Sequence, residues 1–334
     1  MPLRLALLGM WHAHADGMVR QLAAHPGEFT LVGCCESDPA VAEERRQRWS
    51  RLFPSLRVFE SPEPLLAEEL DGVIVEGRVF ENVALARLAV ESGRPVMLEK
   101  PGGMAMQPFR ELLALASQRR LHVQMIYLFR YMTAVQEMFA RAARGELGRI
   151  YEFRARIPKE LATYQQFAEE LRPYPGGLFF EMAGHVIDML VRVIGAPHEV
   201  KSILAHHHTE APASYIDNGV ALFGCERAVG IIEVSALEVA PNSRRIEVYG
   251  TEGAFVIPHF GSGHLANNAI QEAQVCHAGE SEWQTLRLPA ATLQIADLRE
   301  FAAVISGKKA PDFSATHDLA VQASLLRASG MWSD

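Results

Sequence analysis

Glu99-Lys100-Pro101 sets two opposite charges at the end of an apolar run, Pro95-Val96-Met97-Leu98, and just before Gly102-Gly103. A buried strand ending there delivers a lysine to the edge at which open parallel sheets bind ligands. Such a lysine holds a phosphate or ribose, or hydrogen-bonds a reacting hydroxyl. Burial and neighbouring charges move its pKa, so it can also join proton transfer. A second set lies on a helix read over Leu178 to Val193, where Glu181, His185 and Asp188 fall at i, i+4 and i+7 on one face. The other residues of this helix are apolar nearly all round, so a polar row on it needs a partner or a ligand. Histidine with a carboxylate one turn away is a general base with an orienting group. Gly176-Gly177 lead into the helix and let the chain approach a ligand closely.

Two further positions bear on a nucleotide. The turn Gly9-Met10-Trp11-His12-Ala13-His14 follows the first strand, and of the three glycines of a dinucleotide fingerprint only Gly9 is present. Trp11 stands where a second glycine lets backbone approach a pyrophosphate, although the following helix N-terminus still offers N–H groups to a phosphate. Glu36 ends the second strand, where an acidic residue accepts both ribose hydroxyls of an adenosine and repels a 2'-phosphate, which points to NAD rather than NADP. Asp38 before Pro39 is the better candidate for a helix cap. His12 and His14 have no evident third ligand and are read as loop residues, so no metal is expected. In His206-His207-His208 only the outer two share a strand face, and the triplet is read as structural.

The elements that must position these residues alternate. Strands near residues 3–9, 29–35, 57–59, 71–75, 95–98 and 121–127 are separated by helices near 15–25, 39–53, 62–69, 82–92 and 109–118. This rhythm means an α/β fold, a doubly wound parallel sheet of Rossmann type. After a helix over 134–144 the period becomes two, with strands near 150–157, 199–206, 219–223, 228–235, 244–249, 253–257 and 284–288. These suggest an open-faced antiparallel β-sheet, α+β in character, with the helix at 178–193 covering one face. Residues 261–279 read as a surface loop, and a last helix over 317–331 packs back on the body. The division expected is 1–125 for the dinucleotide-binding Rossmann domain, 126–312 for the antiparallel-sheet substrate and oligomerisation domain, and 313–334 for the C-terminal helix.

The 334 residues suffice for two domains, and about half are apolar (49%). A net charge of -8 with scattered Lys and Arg argues against nucleic acid. No apolar run reaches bilayer length, and Met1 to Gly9 is too short for a signal region, so a cytoplasmic protein without membrane contact is expected. The four cysteines lack metal or disulfide spacing; Cys34 and Cys35 read as reduced core residues.

The ordered set of motifs resembles the Gfo/Idh/MocA family of glucose-fructose and inositol oxidoreductases. It comprises Asp71-Gly72-Val73-Ile74-Val75, Ala89 to Gly93, Val96 to Pro101, Phe129-Arg130-Tyr131, Gly145 to Gly148, Gly176-Gly177, the face Glu181, Gly184-His185 and Asp188, Tyr249 to Gly253 and His317-Asp318-Leu319. The resemblance implies NAD(P)-dependent oxidation or reduction of a sugar, cyclitol or related polyol, and a homodimer or homotetramer formed through the antiparallel sheet. It implies that Lys100 contacts cofactor and substrate hydroxyl, that His185 is the acid/base, and that Glu181 stands where an Asp is usual. It places Gly9, Met10, Trp11, His12, Glu36, Gly77, Arg78, Asn82 and Glu99 at the cofactor, and Arg130 with Glu181 and His185 at the substrate. Gly77-Arg78 replaces the family's Thr-Pro, and Asn82 its histidine; Arg78 is open to an acidic substrate or the pyrophosphate. The alternatives are an NAD-dependent glycosidase of the same family and a non-catalytic NAD or sugar sensor.

Overall fold

The computed structural model describes residues 1–161, 168–208, 214–239, 243–260 and 270–332. Contacts divide the chain into two units, Met1–Ile126 with Leu293–Ala315, and Tyr127–Thr292 with Thr316–Asp334.

In the first unit, strands β1 (Leu3–Leu8), β2 (Phe29–Cys35), β3 (Val58–Phe59), β4 (Gly72–Val75), β5 (Val96–Glu99) and β6 (Val123–Ile126) lie in the order β3-β2-β1-β4-β5-β6. Every neighbouring pair is parallel. Helices α1 (His14–Ala24), α2 (Pro39–Trp49), α3 (Pro62–Leu66), α4 (Val79–Glu91) and α5 (Met106–Gln118) make the crossovers. The central strands are apolar without alternation, and β4, β5 and β6 are buried at every residue, because helices cover both faces. Asp38 caps α2 by accepting from the N–H groups of Ala40 and Val41. The strand order reverses between β1 and β4, and Gly9, Glu76 and Glu99 all lie at strand ends beside that reversal, the switch point where such sheets bind ligands.

The second unit holds helices α6 (Thr133–Ala143), α7 (Ala168–Leu171) and α8 (Gly177–Ile194) and strands β7 (Ile150–Arg156), β8 (Glu199–Ala205), β9 (Asn218–Gly224), β10 (Val229–Ser235), β11 (Arg245–Gly250), β12 (Gly253–Ile257), β13 (Ile270–His277) and β14 (Gln284–Pro289). The sheet order is β14-β13-β12-β11-β7-β10-β9-β8. All neighbours are antiparallel except β10 and β7, which are parallel. Phe153, Ala155, Ala221, Phe223, Ile232, Val234, Ile246 and Val248 line the buried face. Helix α8 lies against β10, β7 and β9, and it is buried along fourteen residues because it is apolar on almost every side. The opposite sheet face is open, with Ile203, Val220 and Leu222 exposed.

Three expectations need correction. Residues 261–279 were read as a loop, but β13 pairs with β12 and β14 over Ile270–His277. Its strand signal is weak because only Ala273 and Val275 turn inward; 261–269 lie outside the described residues. Helix α3 stops at Leu66 instead of Glu69. Helix α9 (Leu293–Ile305) was not anticipated, and the segment carrying it groups with the first unit rather than with 126–312. The last helix, α10 (Ala315–Ala328), then belongs to the second unit from Thr316 onward. The return is driven by packing. Ile295, Leu298 and Phe301 bury one face of α9, and Gln124 of β6 donates to the Asp297 carbonyl and carboxylate. The Phe301 ring fills the space above Gly72, where an added Cβ would meet it at 2.7 Å. Among the described residues, no helix is long and apolar enough to cross a membrane.

The Gly72–Phe301 contact gives a double-mutant test. Phe301→Ala should cost about 3–5 kcal/mol and Gly72→Ala about 1–3 kcal/mol through overpacking. In the Phe301→Ala background the Gly72→Ala penalty should largely vanish, as read from urea unfolding midpoints. An unchanged penalty would mean that the ring does not set the space above Gly72.

Candidate active site

Two turns at the carboxyl edge of the first sheet meet backbone to backbone. Gly9 has φ +76°, and a Cβ on it would lie 2.3 Å from the Gly77 Cα. Gly9 cannot carry a side chain at that contact, while a Cβ on Gly77 would press on the Glu81 and Asn82 side chains (2.6 and 3.0 Å). The His12 N–H donates to the Glu76 carbonyl (2.9 Å), tying the turns together. Glu36 accepts from the N–H of Met10 (2.7 Å) and of Asp38 (3.0 Å), one on each carboxylate oxygen. Arg45 of α2 donates to the Met10 and Trp11 carbonyls and pairs with Asp16. Arg78 pairs with Asp38 at 3.0 Å and lies over the Trp11 ring. Sequence reading missed Arg45, because in Glu43-Glu44-Arg45-Arg46 it looks like part of a solvated helix face; only the packing of α2 buries it.

Beside this contact lies a buried charged cluster. His12 Nδ1 is 3.4 Å from Glu76 and 3.7 Å from Glu99, and His14 Nδ1 is 3.0 Å from Glu99. Glu76 and Glu99 are fully buried, and Lys100 next to them is 2% exposed. Burial lowers the His12 pKa to about 3. Burial, then the charge of Glu99, pushes Glu76 well above the usual carboxylate range. Burial also acts to raise Glu99, but His12, His14 and Lys100 outweigh it and hold Glu99 low. One of the two carboxyls thus keeps its proton more readily than the other. Glu76 was not singled out in the sequence, although Val75-Glu76-Gly77 repeats the strand-end, acid, turn pattern that drew attention to Glu99. Cys34 and Cys35 of β2 are free and buried, and burial raises both thiols, Cys35 to about 11.

The fold implies a dinucleotide at this edge, and the residues present fit one. Asn82 is fully buried, yet neither its amide oxygen nor its nitrogen has a hydrogen-bond partner, so a donor and an acceptor stand ready at the turn after β4. The first turn of α1 has no side-chain cap. Glu36 has used two of its roughly four acceptor positions.

In the second unit, α8 brings His185 to a buried position with the Phe129 ring at 4.6 Å and the Tyr127 ring at 6.0 Å. Glu181 lies one turn earlier and is half-buried. Tyr215 is buried with no hydrogen-bond partner for its hydroxyl; burial, then Asp217 and Glu181, raise its pKa. Nothing in the local sequence marked Tyr215, which lies in the segment just before β9. His206 Nδ1 bonds the Tyr215 carbonyl, and Asp217 accepts from the N–H groups of His207 and His208, so the triplet has structural contacts.

Arg130, expected at the substrate, is engaged by two carboxylates. Its guanidinium is 1% exposed, donates through two nitrogens to Asp188 (2.8 and 2.6 Å), and reaches Asp318 at 2.9 Å. His317 bonds the same Asp188 at 2.7 Å. Arg130 and Asp188 therefore join α8 and α10 to the turn Leu128–Tyr131. Burial acts to raise the Asp188 pKa, but Arg130 and His317 outweigh it and hold the carboxyl low.

Stretches of this chain match known proteins. The model described as GFO/IDH/MocA C-terminal domain matches residues 135–256. The D-glucoside 3-dehydrogenase of Escherichia coli (strain K12) is 28% identical over 211 residues, 61% of this chain and 57% of that protein. Residues 135–256 thus resemble the C-terminal domain of GFO/IDH/MocA oxidoreductases. Among solved structures, an oxidoreductase from Agrobacterium radiobacter in complex with NAD+, L-tartaric acid and magnesium superimposes with a TM-score of 0.81, at 16% identity over 99% of this chain and 96% of that one. The UDP-N-acetylglucosamine 3-dehydrogenase GnnA from Acidithiobacillus ferrooxidans gives 0.80, at 18% identity over 99% and 98%. These two show that the chain shares their fold over nearly its whole length.

The Arg130 pair predicts a stability effect. Asp188→Asn leaves the buried guanidinium without its main partner and should cost about 3–5 kcal/mol in urea unfolding. Asp188 has a native pKa below the unfolded value of about 3.9. Its contribution is therefore present above about pH 4 and is lost as pH falls through the lower native value. The acid limb of the stability curve should flatten in Asp188→Asn; an unchanged limb would show that Asp188 does not contribute to it.

Proposed function

We propose that this oxidoreductase transfers a hydride between NAD(H) and a hydroxyl- or carbonyl-bearing carbon of a sugar, cyclitol or related polyol. The observation that carries the reading is Lys100, a buried lysine at the carboxyl end of β5 in a parallel sheet of order β3-β2-β1-β4-β5-β6. The likeness to a D-glucoside 3-dehydrogenase and to a UDP-N-acetylglucosamine 3-dehydrogenase supports the substrate class. The NAD+ complex of the Agrobacterium protein supports the cofactor.

The residues take the following roles. Gly9, Met10, Trp11, His12, Gly77, Arg78, Asn82 and Glu99 hold the dinucleotide at the strand ends. Glu36 accepts from the adenosine ribose and repels a 2'-phosphate, which selects NAD. The dinucleotide supplies the hydride acceptor when bound. His185, walled by Phe129 and Tyr127, accepts the proton of the hydroxyl being oxidised. Lys100 hydrogen-bonds a substrate hydroxyl and the cofactor, and Glu181 orients His185 or binds a neighbouring hydroxyl.

In assays of sugars and sugar acids for NADH formation, Lys100→Ala and His185→Ala should each lower kcat/KM by about 10²–10⁴-fold while the fold is retained, as read by far-UV circular dichroism. Near-normal turnover in either variant would remove that residue from the mechanism. Glycoside cleavage without net NADH would assign the site to the transient-oxidation route instead.

Cofactor choice is tested separately, by titrating NADH and NADPH against tryptophan fluorescence. NADH should bind at least about tenfold tighter, roughly 1.4 kcal/mol. Glu36→Ala should narrow the gap. Equal affinities in the unaltered protein would overturn the role given to Glu36.

A further inference from the structure

The cluster at the ends of β1, β4 and β5 contains more acceptors than donors. His12, His14, Glu76 and Glu99 each offer one ligand atom, and these atoms lie within 4.8 Å of one another. Ligands bound at about 2.0–2.2 Å to a single ion are separated by about 3–4.4 Å, so this spread needs only small side-chain movements. The observation that points to a ligand is Glu76: it is fully buried and neither carboxylate oxygen has a hydrogen-bond partner. Glu99 is equally buried, and its Oε1 has none either.

The nearest candidate donor faces the wrong way. The His14 N–H donates to His12 Nδ1 (3.2 Å), so this nitrogen carries no proton and cannot donate to Glu76 or Glu99, which lie 3.4 and 3.7 Å from it. An unprotonated ring nitrogen and two carboxylates thus lie together, and a metal bound to that nitrogen would take its lone pair from the His14 N–H. Lys100 offsets one of the two negative charges, while Arg45 and Asp297 act from the periphery. The second charge is left for a proton or for a cation. Buried charges of this kind are paired or coordinate metals.

We propose that His12, His14, Glu76 and Glu99 bind one divalent transition-metal cation, of the class of Zn²⁺, Mn²⁺ or Co²⁺. Two imidazoles with two carboxylates suit these ions better than the all-oxygen shells of Mg²⁺ or Ca²⁺. The ion joins the turns after β1, β4 and β5, which are neighbours only because of the strand order. It also replaces uncompensated negative charge at an edge where the proposed cofactor would bring more. The assignment does not depend on the hydride-transfer reading, since all four residues belong to the first unit and the ion is detected without dinucleotide or substrate.

The test uses full-length protein freed of metal with a chelator. Zn²⁺ is titrated calorimetrically, and Co²⁺ by visible absorption. One equivalent per chain should bind, Co²⁺ should show d–d bands of a mixed nitrogen and oxygen site, and Zn²⁺ should raise Tm. Glu76→Gln, nearly isosteric and able to donate to Glu99 in place of a shared proton, should lose at least tenfold in affinity for both ions. His14→Ala, altered at the most exposed of the four positions, should do the same and serves if Glu76→Gln does not fold. Stoichiometric binding that survives both variants with an unchanged spectrum would place the metal elsewhere. No binding to the unaltered protein would mean that a proton shared between Glu76 and Glu99 settles the charge. Either result overturns the proposal.

Discussion

The contact of Gly9 with Gly77 constrains the rest of the first unit's chemistry. Two turns that follow neighbouring parallel strands approach until one glycine's missing Cβ would lie 2.3 Å from the other's Cα. That closeness brings His12 onto the Glu76 carbonyl and draws the ends of β1, β4 and β5 into one small volume. Beside this contact, Trp11 is held by Arg78 over its ring and by Arg45 at its carbonyl.

The cost of this convergence is electrostatic. Glu76 and Glu99 are both fully buried, and like charges in a low-dielectric site resist ionising together. The surrounding groups answer unequally: His14 and Lys100 favour ionised Glu99, while Glu76 is pushed toward its neutral form. The second unit solves a similar problem by direct pairing. Arg130 lies between Asp188 and Asp318 with nearly ideal fork geometry, so those carboxylates have a partner and the arrangement is structural. The contrast explains why one cluster invites a ligand and the other does not.

Much of this was legible along the chain. Runs such as Val73-Ile74-Val75 and Val96-Met97-Leu98 gave the parallel sheet, because strands covered on both faces lose alternation. The all-round apolarity of α8 marked His185 as a buried histidine, and its burial among aromatic rings agrees. The reading faltered where periodicity is thin or where the chain returns. Strand β13 has two inward apolar residues, and α9 carries an ordinary helical pattern whose destination, under Gly72, no local signal gives.

The sequence by itself determined the element types, the two-part organisation and the strand-end placement of Glu36 and Lys100, since these follow from short-range period and motif order. Tertiary structure alone decided which charges meet. Arg45 and Glu76 looked solvated or unremarkable until α2 and β4 buried them, and Arg130 looked available until Asp188 and Asp318, 58 and 188 residues away, closed on it. Coulomb interaction and desolvation depend on distance and burial in space, and the linear chain encodes neither directly.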